Sequence, residues 1–347
     1  MLPARRLVLA TLVAALAVLS APGCDFTPTL DIETPPYAPG LVVRSVLAAG
    51  QMPTVRVSVS RDPYGPTPTD GAPPPSVTPE GVVVTLLRDG AVVETLAPRA
   101  QTCYGSQTST CNASTGQTET VRNDPYRCDA FVGQMPVEAG ATYTLRATLD
   151  GLPPAEATVT VPVRPTITVE GGAASDPARR RVRVHLPDLP GAASRFSFAL
   201  QREFSSYRTS VCRVGGPRDT TITLANPART GTDFTTDDAV LLAGAREPSG
   251  ILRFVTFTDA TFEGGTFSFD VDAAAEVSGL VSTGRFTVQV AALSQELYDA
   301  YELTAFALGD DNPFAEPVNL PSNVVGGYGR VGAAAVVEAT ASTGLGG

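Results

Sequence analysis

Five cysteines, one histidine and no lysine among 347 residues bound the covalent chemistry open to this chain. Without lysine there is no Schiff base and no amine nucleophile. A zinc site built from histidines and a His-Glu-x-x-His protease are out of reach, so only a site using His185 itself would survive. That histidine closes the alternating run RRRVRVHL, the setting of a surface or core side chain rather than a catalytic one. Asp310, Asp311 and Asn312, or Asp233, Asp237 and Asp238, offer the oxygens calcium prefers, yet neither group has the spacing of a calcium loop, and acidic turns are the simpler reading. Gly327-Tyr328-Gly329-Arg330-Val331-Gly332 spells G-x-G-x-x-G. A dinucleotide site needs a helix and a further parallel strand after that turn, and too little chain follows, so the glycines are expected to permit a turn or close backbone approach where the terminal strand docks. Carboxylate pairs for glycoside hydrolysis could still come from distant segments. No catalytic residue, metal ligand or cofactor is assigned.

The cysteines divide by position. Arg5 and Arg6 precede an apolar run of secretory-signal length that ends in small residues before Cys24. Small residues ahead of such a cysteine form the pattern of a bacterial lipobox, with Ala21 and Pro22 departing from its usual form. Residues 1–23 are therefore expected to be a signal peptide and Cys24 the acylated first residue of the mature chain; simple secretion is the alternative. Two or three acyl chains together hold a protein on a membrane almost permanently. In an oxidising exported compartment Cys103, Cys111, Cys128 and Cys212 are expected to form two disulfides. Three connectivities are possible, and a free thiol at Cys212 competes with them. Three of the four lie in one polar stretch, so at least one bridge is expected to staple it.

The elements that position these residues read as strands. With 32 Gly, 30 Pro and short runs rich in Val and Thr, the chain lacks long helical periodicity. A formal net charge of -10 speaks against nucleic acid and against adhesion to an anionic bilayer, since either needs a basic patch. Residues 24–40 suit a Pro- and Thr-rich tether. From 41 to 164 come alternating strands, two long polar stretches, and VVVTLLRDGAVVETL, whose Asp89-Gly90 marks a tight hairpin. This order suggests an immunoglobulin-like sandwich. Residues 165–347 are expected to form a second antiparallel β domain, with loops around Cys212 and over Thr230 to Asp238. One packed helix is expected at about 294–308, capped by Ser294, with Leu297, Tyr301, Thr304 and Leu308 on one face. If the chain has a contact surface, the loop carrying Tyr64 and Pro73 to Pro75 and the cysteine-bearing loop are the candidates.

The stretch after that helix carries a resemblance. NPFAEPVNLPSNVVGGYGRVGA, with Pro313, Phe314, Glu316, Pro317, Asn323, Gly326, Gly327 and Gly329, resembles the near-terminal signature of domain-of-unknown-function family 4249. LDIETPPYAPGLVV, FTDATFEGGTFSF and LSQELYDAYEL resemble further segments of that family in the same order. The resemblance implies an exported lipoprotein of the Bacteroidota kind, at the outer membrane, encoded beside TonB-dependent transporters, and brings no catalytic residues with it. The expected function is accordingly that of an outer-membrane lipoprotein without catalytic activity, an accessory or ligand-capturing partner of a TonB-dependent transporter. Its periplasmic or surface face is left open. A structural or adhesive cell-surface protein is the alternative, and a surface glycan or peptide hydrolase the third reading.

Overall fold

The computed structural model describes residues 37–60, 62, 79–103, 107–122, 126–127, 129–189, 194–244, 251–262, 264–308 and 322–344. The first half carries β1 (Leu41–Ala48), β2 (Thr54–Val59), β3 (Val83–Arg88), β4 (Ala91–Thr95), β5 (Ala97–Arg99), β6 (Thr102–Cys103), β7 (Gln107–Asn112), β8 (Gln117–Arg122), β9 (Tyr126–Arg127), β10 (Ala130–Val132), β11 (Thr142–Thr148) and β12 (Ala155–Thr160). The second half carries β13 (Thr168–Ala173), β14 (Arg179–Pro187), β15 (Arg195–Arg213), β16 (Gly216–Gly231), β17 (Phe234–Thr235), α1 (Ala239–Gly244), β18 (Phe254–Thr258), β19 (Thr266–Ala274), β20 (Leu280–Leu293), α2 (Gln295–Leu308) and β21 (Tyr328–Ser342).

Among the described residues the strands make one long sheet, ordered β16-β15-β20-β21-β1-β2-β10-β5 with β18 also on β15, two four-stranded sheets, β12-β11-β3-β4 and β13-β14-β19-β17, and two two-stranded sheets, β6-β9 and β7-β8. The first half is a sandwich in which β1, β2, β10 and β5 face β12, β11, β3 and β4, the strand arrangement of an immunoglobulin-like domain. Alternation dictates it: Val55 and Val57 of β2, Val84 and Leu86 of β3, and Tyr143 and Leu145 of β11 all point into one core. The β3–β4 turn places Asp89 at φ 50 and Gly90 at φ 79, as its two residues require. The second core is aromatic, with Phe196, Phe198, Phe234, Phe257, Phe267, Phe269 and Phe286 packed between β13-β14-β19-β17 and the other end of the long sheet. Phe198 meets Phe234 and Phe269 edge to face, at 5.0 and 5.3 Å between centroids.

One core is drawn from Leu41 to Val161 and the other from Val182 to Ala292, and the C-terminal strand contributes to both. Val324, Val331, Ala333 and Ala335 belong to the first core, whereas Ala341 belongs to the second. β21 pairs in parallel with β1 from Tyr328 to Ala334 and antiparallel with β20 from Ala334 to Ser342, so a single strand serves both sandwiches.

Three further expectations change. The segment expected as a loop around Cys212 is strand: β15 and β16 form a long hairpin paired from Gln201 with Gly231 to Arg213 with Gly216, whereas Thr230 to Asp238 is mostly irregular, holding only the end of β16 and the two-residue β17. The hairpin's outer part buries only Gly216 and otherwise alternates between exposed and half-buried residues, so its apolar alternation is weak. The polar stretch between β5 and β10 likewise contains the hairpin β7–β8, paired from Gln107 with Arg122 to Asn112 with Gln117. The helix forms where expected, yet it lies on the outer face of the long sheet, with Leu297 against Ala291, Leu293 and Ala334 and with Tyr298 beside them. Tyr301 is part-exposed and meets Phe254 edge to face. The side chains of Thr304 and Leu308 lie outside the described residues.

Candidate functional site

β14 sends Val182, Val184 and Leu186 into the second core and leaves Arg181, Arg183 and His185 outside; β19 buries Phe267, Phe269 and Val271 and leaves Ser268, Asp270 and Asp272 outside. The antiparallel register sets Arg181 opposite Asp272, Arg183 opposite Asp270, and His185 opposite Ser268. Opposite charges at directly facing positions attract, and here they close as two-pronged forks. Arg181 donates from Nε and Nη2 to the two oxygens of Asp272 at 2.8 Å each, and Arg183 from the same atoms to Asp270 at 2.7 and 2.8 Å. His185 Nδ1 lies 2.7 Å from Ser268 Oγ, and its Nε2 lies 4.0 Å from Glu170 Oε1.

This ladder floors a polar cleft of about 410 Å3, walled by Thr235, Thr236, Asp237 and Asp238. The hydrogen bond from Arg183, with the charges of Arg183 and Arg181, holds the Asp270 carboxyl below its ordinary pKa, and the hydrogen bond with Asp272 raises Arg181. A carboxylate held ionised is a poor proton donor, and a guanidinium already forked to one carboxylate is a poor receptor for a second. The ladder therefore ties β14 to β19. Asp237 stands in the cleft wall as an exposed carboxylate.

The residues singled out in the sequence are scattered by the fold. Asp233 pairs with Arg253 at 2.8 Å. Asp238 accepts from the Val240 and Leu241 amides at the start of α1, as a capping residue does. Among the described residues no three His, Cys, Asp or Glu side chains converge as a metal site. Cys111 and Cys212 are joined in a disulfide that ties β7 to β15. Cys103 ends β6, with its side chain outside the described residues, as are Cys24, Cys128, Tyr64, Pro73 to Pro75, Asp310 to Asn312, and Pro313, Phe314, Glu316 and Pro317.

The rest of the C-terminal signature docks β21. Asn323 donates from Nδ2 to the Val331 carbonyl at 2.7 Å and accepts from the Val331 amide at Oδ1 at 2.9 Å, closing the turn before the strand. Gly329 has φ +105, and a Cβ there would run into the Val43 carbonyl of β1. Cβ atoms on Gly326 and Gly327 would meet the carbonyls of Pro154 and Leu41. The arginines and aspartates of the ladder went unrecognised in the sequence, because each strand shows its alternation while their pairing spans about ninety residues, |i−j| being 91 for Arg181 with Asp272.

A family model described as "Domain of unknown function (DUF4249)" matches residues 27–340. Among curated proteins none matches the chain. Among solved structures, the chain is similar to the Fcho1 Mu homology domain of Danio rerio with bound Eps15 peptide, at 10% identity and TM-score 0.19, over 87% of this chain and 94% of that one. It is also similar to the Enterococcus faecalis MSCRAMM ACE, described as binding its ligands by the collagen Hug model, at 13% identity and TM-score 0.18, over 86% and 92%. At such scores neither carries an argument.

Proposed function

The chain belongs to the DUF4249 family, and on that premise we propose that it is an outer-membrane lipoprotein, anchored through Cys24, that acts without catalysis as an accessory or ligand-capturing partner of a TonB-dependent transporter. The observation that carries this reading is that the groups nominated for chemistry have structural work: His185 bonds Ser268, Asp233 pairs Arg253, and Asp238 caps α1. What the chain builds instead is a body of two sandwiches with an exposed ribbon stapled at its tip. That is a frame for presenting contact surfaces.

The test is a pull-down of C-terminally tagged full-length protein from membranes in mild detergent, with captured proteins identified by mass spectrometry. A stoichiometric TonB-dependent transporter supports the accessory role. Recovery of the protein alone after cross-linking overturns it in favour of a structural or adhesive role. Incorporation of labelled palmitate that disappears in Cys24→Ala tests the anchor separately.

A further inference from the structure

The outer face of the long sheet carries a row of arginines. β1, β2 and β21 are neighbours, and their registers set Arg44 directly opposite Arg56 on one side and Arg330 on the other. The core takes Val43, Val55, Val57 and Val331 from the alternate positions, so all three arginines lie on the face away from it. Arg44 and Arg56 are exposed and Arg330 is half-buried. Arg330 donates to the Glu296 carbonyl at 3.4 Å. Among the described residues no ion pair engages Arg44 or Arg56.

This arrangement inverts the ladder on β14 and β19. There, register puts a carboxylate opposite each arginine; here it puts arginine opposite arginine, with facing Cβ atoms roughly 5 Å apart, which destabilises a sheet. An anion bound across the row removes that repulsion and stabilises the folded chain by its own binding. The row borders a groove of about 360 Å3 whose other walls include Val46, Leu297 and Gly332. Val46 is 48% exposed.

We infer that this groove binds a small organic phosphate monoester, its phosphate on Arg44 and Arg56 and its apolar body against Val46 and Leu297. Guanidinium forks match phosphate oxygens, and a monoester carries close to two negative charges at neutral pH, which suits a row of like charges better than a single carboxylate does. The net charge of -10 opposes adhesion of the whole molecule to an extended anionic surface. A small dianion in the groove feels chiefly the charges within a Debye length, about 8–10 Å. The inference goes beyond the transporter reading and stands without it, since a failed pull-down leaves phosphate binding untouched.

Phenyl phosphate titrated calorimetrically into the full mature chain in mild detergent at about 0.15 M salt is expected to bind saturably at a dissociation constant below about 1 mM. Arg44→Gln and Arg56→Gln are each expected to weaken binding by about tenfold or more, and benzoate to bind wild type about tenfold more weakly than phenyl phosphate does. Arg253→Gln, on the other sandwich, should bind as wild type. Both groove positions are exposed, so the double variant should fold and melt no lower than wild type without ligand, and phenyl phosphate should raise the melting temperature of wild type alone. Absence of saturation, equal binding by the groove variants, or equal binding of benzoate overturns the inference. So does binding confined to vesicles of anionic phospholipid, which would make the face a membrane contact.

Discussion

Arg202 of β15 points inward at the base of the long hairpin and is fully buried. Its guanidinium donates to the carbonyls of Ala274 and Ala275 at the end of β19 and lies 5.3 Å from the centre of the Phe286 ring, while Nε has no hydrogen-bond partner among the described residues. Burial lowers its pKa, and its partners are two carbonyls and a ring face. Arg202→Ala leaves both a void and two half-buried acceptors without this donor, and is expected to cost about 3–5 kcal/mol in urea unfolding. Arg202→Met keeps the stem's volume and should cost about 1–3 kcal/mol; equal losses for the two would show that packing of the stem is immaterial. The ladder makes a different prediction, in pH. Arg183 depresses Asp270 below its ordinary value of 3.8, so the pair's contribution is fully present above that value and is lost as pH falls through the lower folded value. The difference in urea midpoint between wild type and Arg183→Gln should therefore stay level above about pH 5 and shrink as acid protonates Asp270.

The elements show why part of the structure could be read in advance. β2 and β11 alternate because one face of each is buried, and the two-residue turn after Arg88 is spelled by Asp89-Gly90. Ser294 was legible as a cap: its hydroxyl accepts from the Leu297 amide and, from outside the helix, from the Ala333 amide of β21. Losing it strands a buried strand amide as well as a helix amide, so Ser294→Ala is expected to cost about 1–3 kcal/mol, measured by denaturant unfolding. The ribbon was illegible for the opposite reason. From Arg208 to Thr221 every residue but Gly216 is exposed or half-buried, and a strand with no face in a core has only a weak period-two signal. Nor could spacing choose among three disulfide connectivities, since Cys111 and Cys212 meet across 101 residues only once the two hairpin tips are brought together. Gly215 donates to the Ala113 carbonyl at 2.8 Å at that meeting point. Reduction should free the tips while the cores persist, so trypsin is expected to cut after Arg208, Arg213 and Arg218 much faster in reduced than in oxidised protein. Unchanged cutting would mean that the β15–β16 pairing alone protects the ribbon.

At the scale of the whole molecule, β21 decides how the two sandwiches behave. Its alternate residues Val331, Ala333 and Ala335 fill the first core, and Ala341 fills the second, along one uninterrupted strand. The run of strands up to residue 164 carries no trace of a first core completed by residues more than 150 positions later, because parallel pairing of β21 with β1 leaves no local signal. Without that strand the first sandwich exposes β1 as an open edge and loses fully buried side chains such as Val331. A fragment ending at residue 164 is therefore expected to be unfolded or aggregated, although it holds every strand of an immunoglobulin-like arrangement. In the intact chain the shared strand couples the two cores, so calorimetry should show one heat-absorption peak whose van't Hoff and calorimetric enthalpies agree. Gly329→Ala tests the same coupling from the start of the strand: a Cβ against the Val43 carbonyl displaces β21 from β1, lowering the stability of the first core directly and of the second through the strand they share. If that variant melted in two separate steps, with the aromatic core at its wild-type temperature, the sandwiches would be independent domains that happen to touch, and β21 a connector rather than a common wall.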